Sequence, residues 1–172
     1  FLPFHKALVR LVERLVPGEA DLRDDMAILD ERFLSSPSLA LERAHEGVIQ
    51  MGDYALSNYR LAVELLDHYD AKKLERLSET EIALDKMENA LDDYLMQLTD
   101  RALTPQESAQ ISELLHTLSD FERIGDYAVN VSECAGALHN KGITFSLIAH
   151  EELSALTAAV DEAIEKALAC YR

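Results

Sequence analysis

Two rows of carboxylates carry the chemistry this sequence is equipped for. Glu81, Asp85 and Glu88 follow one another at four and three residues, the spacing that puts side chains on one helix face. Further on, Glu122 and Asp126 repeat the four-residue step, and Asn130 and Glu133 continue that row. Like charges at this spacing destabilise a helix unless a cation sits between them. Grouped carboxylates are the donor set of hard divalent or ferric ions, which take several oxygen ligands at about 2.0–2.6 Å. Solvated acidic faces give the same spacing in a chain with 32 Asp and Glu, so position has to single these rows out.

The helices that carry the rows supply that position. Leu77, Leu84, Leu91, Leu95, Leu98 and Ala102 form the apolar seam of a helix opened by Asp70, and Glu81 and Glu88 occupy positions on that seam where apolar residues belong. Thr104-Pro105-Gln106-Glu107 is a helix start, with Thr104 as N-cap, Pro105 at the first position and Glu107 at the third. The next helix has Ile111, Leu114, Leu118, Phe121, Gly125, Ala128 and Ala135 on its seam and ends near Asn140-Lys141-Gly142. Asp85 stands 19 residues before Thr104 and Glu122 stands 18 after it; Glu81 stands 23 before and Asp126 stands 22 after. A one-residue mismatch is about 1.5 Å of helix rise. A hairpin turning at Thr104 therefore brings Glu81, Asp85, Glu122 and Asp126 together as a ring of four carboxylates, with Glu88 and Asn130 as neighbours.

Two more helices complete the pattern. Ser36-Pro37-Ser38, with Ser38 as N-cap, starts one whose seam runs Leu41, Ala44, Val48, Met51, Ala55, Asn58, Ala62 and Leu65. Asn58 on that seam reads as a register-setting residue, and Tyr54, Tyr59, Tyr94, Phe121 and Tyr127 as packing residues. Ser146 begins a last helix through Leu156, Val160, Ile164, Ala167 and Leu168. Upstream, Leu8, Val9, Val12, Leu15 and Val16 make Phe4 to Val16 a short amphipathic helix, with Lys6, Arg10 and Arg14 opposite the apolar face. The stretch from Asp21 to Leu34 reads as a short helix or an extended arm. The expected fold is all-α: an antiparallel bundle of long helices with an amphipathic N-terminal arm.

Composition excludes several function classes. The formal net charge of -16 repels nucleic acid and anionic headgroups. Cys134 and Cys170 are the only cysteines and have no zinc-finger spacing. No run of about 18 apolar residues spans a bilayer. No nucleophile elbow, phosphate loop or Ser/His/Asp order is present, so no catalytic residues are expected. Glu42 with His45 and Glu113 with His116 copy the Glu-x-x-His pairs of di-iron bundles, but the seams turn these residues outward or to the flank. Asp53, in a Gly-Asp-Tyr-Ala run repeated at Gly125, is a weaker ligand candidate that also signals close helix packing around glycine.

The run Asp120-Phe121-Glu122-Arg123-Ile124-Gly125-Asp126-Tyr127-Ala128, followed by Asn130, resembles the signature of the PhoU family of phosphate-regulation proteins. An acidic Glu-x-x-x-Asp pair precedes that signature in the family, as Glu81 and Asp85 do here. The resemblance covers roughly residue 38 to the end and implies a three-helix unit plus one further helix, metal-binding carboxylate clusters and a regulatory role in phosphate uptake. The chain opens on Phe1, as a piece of something longer would. The arm and the segment Leu29-Asp30-Glu31-Arg32-Phe33-Leu34 resemble the stretch after the membrane part of bacterial sodium/phosphate cotransporters, which carry a PhoU-like domain at their cytoplasmic C-terminus. That implies residues 1–37 as arm and linker and 38–172 as the PhoU-like domain, truncated before the family's second unit. The same resemblance implies the transmembrane part of the same polypeptide as partner, at the cytoplasmic face of the inner membrane. The unpacked face of the last helix is a candidate homodimer surface. No Lys or Arg cluster is present to hold phosphate, which leaves only an indirect route through a metal. The rival expectations are a metal-free helical interaction module and a free-standing PhoU-type regulator.

Overall fold

The computed structural model describes residues 29–172, and the expected helix over 4–16 lies outside them. Four long helices follow a short 3-10 turn, Glu31–Ser35: α1 Pro37–Asp67, α2 Ala71–Thr99, α3 Pro105–Lys141 and α4 Leu147–Tyr171. Among the described residues there is no strand, so the chain is an all-α bundle. No helix there is long and apolar enough to cross a membrane.

Three of the four described helices start on a side-chain cap. Asp70 accepts from the Lys72 amide, Ser146 from that of Ala149, and Thr104 and Glu107 form a reciprocal capping box. At the end of α3, Gly142 takes the left-handed conformation (φ 63°) that stops the helix. One cap differs from expectation. Ser36 rather than Ser38 is the N-cap of α1, because Pro37 occupies the first helical position, where its missing N–H costs nothing. Ser38 already lies inside the helix, and its hydroxyl donates to Glu107 Oε1 on α3 at 3.1 Å.

All eight expected seam residues of α1 are buried, from Leu41 to Leu65, and α1 is the hub against which α2, α3 and α4 all pack. Asn58 is fully buried among them and donates from Nδ2 to the Leu77 carbonyl on α2 at 3.2 Å, consistent with its register role. The seams of α2 and α3 are buried as read, except that Ala102 is exposed beyond the end of α2. Tyr127 is 62% exposed rather than packed, because it follows Asp126 onto the outer side of α3. Leu29 and Phe33 pack against the main core, so the 3-10 turn is part of the bundle.

The fourth helix differs most from its reading. Ile164 and Leu168 are buried, whereas Leu156 and Val160 remain 62% and 37% exposed and Ala167 is exposed. The physical reason is that α4 packs mainly on one neighbour, α1. Gly52 makes that contact close: a β-carbon there would meet the Leu168 and Phe121 side chains. Polar clamps reinforce it. Arg60 binds Asp161 through two nitrogens at 2.6 and 2.8 Å and also reaches Glu165, while Tyr59 donates to the Thr157 carbonyl at 2.8 Å.

Candidate metal centre

The α2–α3 hairpin delivers the two acidic rows to one side of the bundle. The turn at 100–104 is short and the capping box fixes where α3 begins, so the height match follows from helix rise alone. Glu81 feels the charges of Asp85, Asp126 and Glu122, and Glu122 feels those of Asp126, Glu88 and Asp85. Two rows separated in sequence by the whole hairpin turn have thus become one acidic field. Among the described residues, no Lys or Arg forms an ion pair with any of these carboxylates.

Glu81 is the inner member. It occupies a seam position, so its carboxyl is carried against α3 and is partly buried. The Oε2 atom is buried with no hydrogen-bond partner. It lies against Gly125, where a β-carbon would stand only 3.0 Å away. Burial first, then the charges of Asp85, Asp126 and Glu122, and finally a hydrogen bond with Asp126, push the Glu81 carboxyl up from 4.5 to about 7. Glu122 is raised by burial and by Asp126, and Glu88 by burial and by Asp85, Asp92 and Asp126. Burial and mutual repulsion thus act together, both favouring the neutral form of these carboxyls.

The remaining candidates spread outward from this carboxyl. Asp85 and Asp126 stand on the exposed rim. Asn130 and Glu133 are exposed further along α3. Asp53 is engaged by Arg172 in an ion pair. Glu113 and His116 face solvent, as the seams required. Asp92 is the residue that sequence reasoning missed: it extends the α2 row by four from Glu88, and its charge reaches that carboxyl. The same three-and-four spacing would have found it.

Donor chemistry and burial fit a hard cation: the set is all carboxylate oxygen, uncompensated, with one orphaned buried atom. The coordination shell is not closed, because among the described residues no three His, Cys, Asp or Glu side chains stand close enough to hold an ion. The arrangement is an acidic ring open at its rim.

Known proteins share this part of the chain. Residues 48–135 match the PhoU domain, a span that includes α2 whole and both acidic rows. Two curated relatives, from two strains of Xylella fastidiosa, are each described as "Phosphate-specific transport system accessory protein PhoU homolog". Each is 30% identical over 99 residues, covering 58% of this chain and 41% or 42% of the relative. The chain thus spans well under half the length of these relatives. No solved structure matches it.

Proposed function

The chain belongs to the PhoU family, and from that premise we propose that it is a cation-loaded regulatory domain of phosphate transport, without catalysis of its own. The two Xylella relatives are accessory proteins of a phosphate-specific transport system, which supports the regulatory part of the reading. The observation that carries the cation part is Glu81: a carboxyl on a helix seam, with an orphaned buried oxygen, facing three further acids and no base. Glu81, Asp85, Glu122 and Asp126 would hold a divalent or ferric ion, with Glu88 beside them and Asn130 as an outer neighbour. The ion would supply positive charge that lets all four carboxylates ionise together, and open positions at the rim for an oxyanion ligand. Side-chain rotation of the exposed Asp85 and Asp126 is the movement that closes the shell.

Phosphate then meets the domain only through the ion, because the acidic surface repels the anion directly. Equilibrium dialysis with radiolabelled phosphate tests this. Binding is expected to chain loaded with ferric or manganese ions and not to chelator-treated chain; binding to the chelated chain would overturn the reading.

In the full reading, residues 1–37 lead from a membrane part and 38–172 form the cytoplasmic PhoU-like domain of a sodium-dependent phosphate symporter. The residues supporting that placement are Leu29 to Leu34 and the basic amphipathic pattern upstream. The sequence of the full gene product decides between this and a free-standing regulator: a set of apolar spans upstream supports the first, and none the second. The exposed Leu156 and Val160 face of α4 is the surface on which a homodimer would form. Sedimentation at two concentrations reads that directly.

A further inference from the structure

A second polar site lies at the end of the bundle where α1 and α3 begin and α4 ends. A cleft of about 570 Å³ opens there, between Leu41 and Glu42 of α1, Glu113 and Leu114 of α3 and Tyr171 of α4. This is within the size range of ligand-binding clefts. Leu41 and Leu114 are buried and give it an apolar floor. Tyr171 gives it a fixed aromatic wall. Its hydroxyl is hydrogen-bonded to that of Thr117, its ring meets Phe121 edge-on at 6.3 Å between centroids, and His45 stacks on it at 6.2 Å.

The polar edge of the cleft is of one sign. No Lys or Arg lines it, and neither Glu42 nor Glu113 has an ion-pair partner among the described residues. A third acid, Glu107, is already engaged by Thr104 and Ser38. The Ser38–Glu107 contact sets α1 and α3 level with each other there. Glu42 stands four residues on from Ser38 and Glu113 six on from Glu107, so the two uncommitted carboxylates differ in height by about 3 Å, one on each wall. A hard metal ion needs several oxygens converging on one point. Among the described residues no three His, Cys, Asp or Glu side chains converge in that way, here or elsewhere. Carboxylates set apart over an apolar floor match instead a cation whose charges are also set apart, with hydrocarbon between them.

We propose that this cleft binds an aliphatic polyamine, with ammonium groups on Glu42 and Glu113 and the methylene chain over Leu41, Leu114 and the Tyr171 ring. Charge complementarity selects this occupant. Each ammonium makes a charge-assisted hydrogen bond to its own carboxylate, and the chain between them covers the apolar floor. A compact multivalent cation does the first and not the second. The inference is independent of the acidic ring on α2 and α3, because none of those carboxylates lines this cleft. A polyamine bound here joins the end of α4 to the starts of α1 and α3. It thereby adds a second anchor to the helix that otherwise packs mainly on α1.

Equilibrium dialysis of radiolabelled spermidine against the metal-stripped chain tests this, at about 0.15 M salt so that diffuse attraction to the acidic surface is screened. Glu42→Gln with Glu113→Gln, both at exposed positions, is expected to weaken binding about tenfold through the loss of two charge-assisted contacts. Glu122→Gln with Asp126→Asn is expected to leave it unchanged. Hexaamminecobalt(III), a trivalent cation with no chain, is expected to displace the label at least about tenfold less well than unlabelled spermidine. Circular dichroism, unchanged across the variants, ties any loss to the site. No binding up to about 1 mM spermidine overturns the proposal. So does binding indifferent to the cleft pair, or weakened as much by the pair on α3. Hexaamminecobalt(III) competing as well as spermidine overturns it too, because surface charge alone is then the receptor.

Discussion

Glu81 Oε2 on α2 lies against Gly125 on α3, 3.0 Å from where a β-carbon on that glycine would stand. The glycine is what lets a seam carboxyl fit between two helices. The same β-carbon would also meet Leu84 Cδ1 at 2.8 Å, so the seat is tight on its apolar side too. A carboxylate is thereby held against a helix with one oxygen unsatisfied.

Gly125→Ala is therefore expected to move Glu81 rather than simply to destabilise the fold. Overpacking costs about 1–3 kcal/mol, and the better helix propensity of alanine offsets about 1 kcal/mol of that. Urea denaturation should show a net loss of at most about 2 kcal/mol, accompanied by lower metal content. Gly52→Ala should cost more, because its β-carbon meets the Phe121 ring at 2.9 Å as well as Leu168, and it should loosen α4 without touching metal content.

The raised Glu81 carboxyl gives stability a pH dependence of definite sign. Between its ordinary 4.5 and the folded value of about 7, the folded chain holds the proton that the unfolded chain has lost. In chelator, stability should therefore fall as pH rises through that window. The fall should be about 1–2 kcal/mol, the full effect of such a shift being reduced by solvent at a partly exposed group. Glu81→Gln should flatten the profile of urea midpoint against pH. A midpoint that rises across the window would contradict the assignment.

The Arg60 clamp governs α4. Arg60 donates to Asp161 and Glu165, and its guanidinium holds the Asp161 carboxyl below the usual carboxylate range. Because these groups are largely solvated, Arg60→Ala should cost only about 1 kcal/mol. Its effect should be local: amide exchange in α4 speeds up several-fold while α1 seam amides are unchanged. Uniform acceleration through the bundle would mean that α4 is not a separately opening unit.

Thr104 controls the hairpin register on which the two acidic rows depend. Its hydroxyl accepts the Glu107 amide at 3.2 Å, and its own amide donates back to Glu107 at 2.8 Å. Thr104→Ala should cost about 1 kcal/mol by urea denaturation, with Glu107→Ala giving a similar and non-additive loss.

Much of this was legible in the sequence because helices convert spacing into position. The seams of α1, α2 and α3, the Thr104 and Ser146 caps and the stop at Gly142 follow from local rules, and the height of Glu81 against Asp126 follows from counting. The features left open depend on how helices sit relative to one another. The α4 seam reads as a core seam, but how much of it is covered depends on how many neighbours reach it, and only α1 packs extensively there. Tyr127 and Leu156 look alike on paper to Phe121 and Leu168; sequence periodicity cannot say which side of a seam faces out. The cleft between Glu42, Glu113 and Cys170 joins residues from three helices and has no linear trace.

Metal content tests the cation site most directly. Protein equilibrated with ferric or manganese salt, desalted and analysed for metal should retain about one ion per chain, as a full carboxylate shell implies. The pair Glu122→Gln and Asp126→Asn should lower that several-fold without unfolding the bundle. Retention well below one ion, unchanged by those substitutions, would contradict a cation site on these carboxylates.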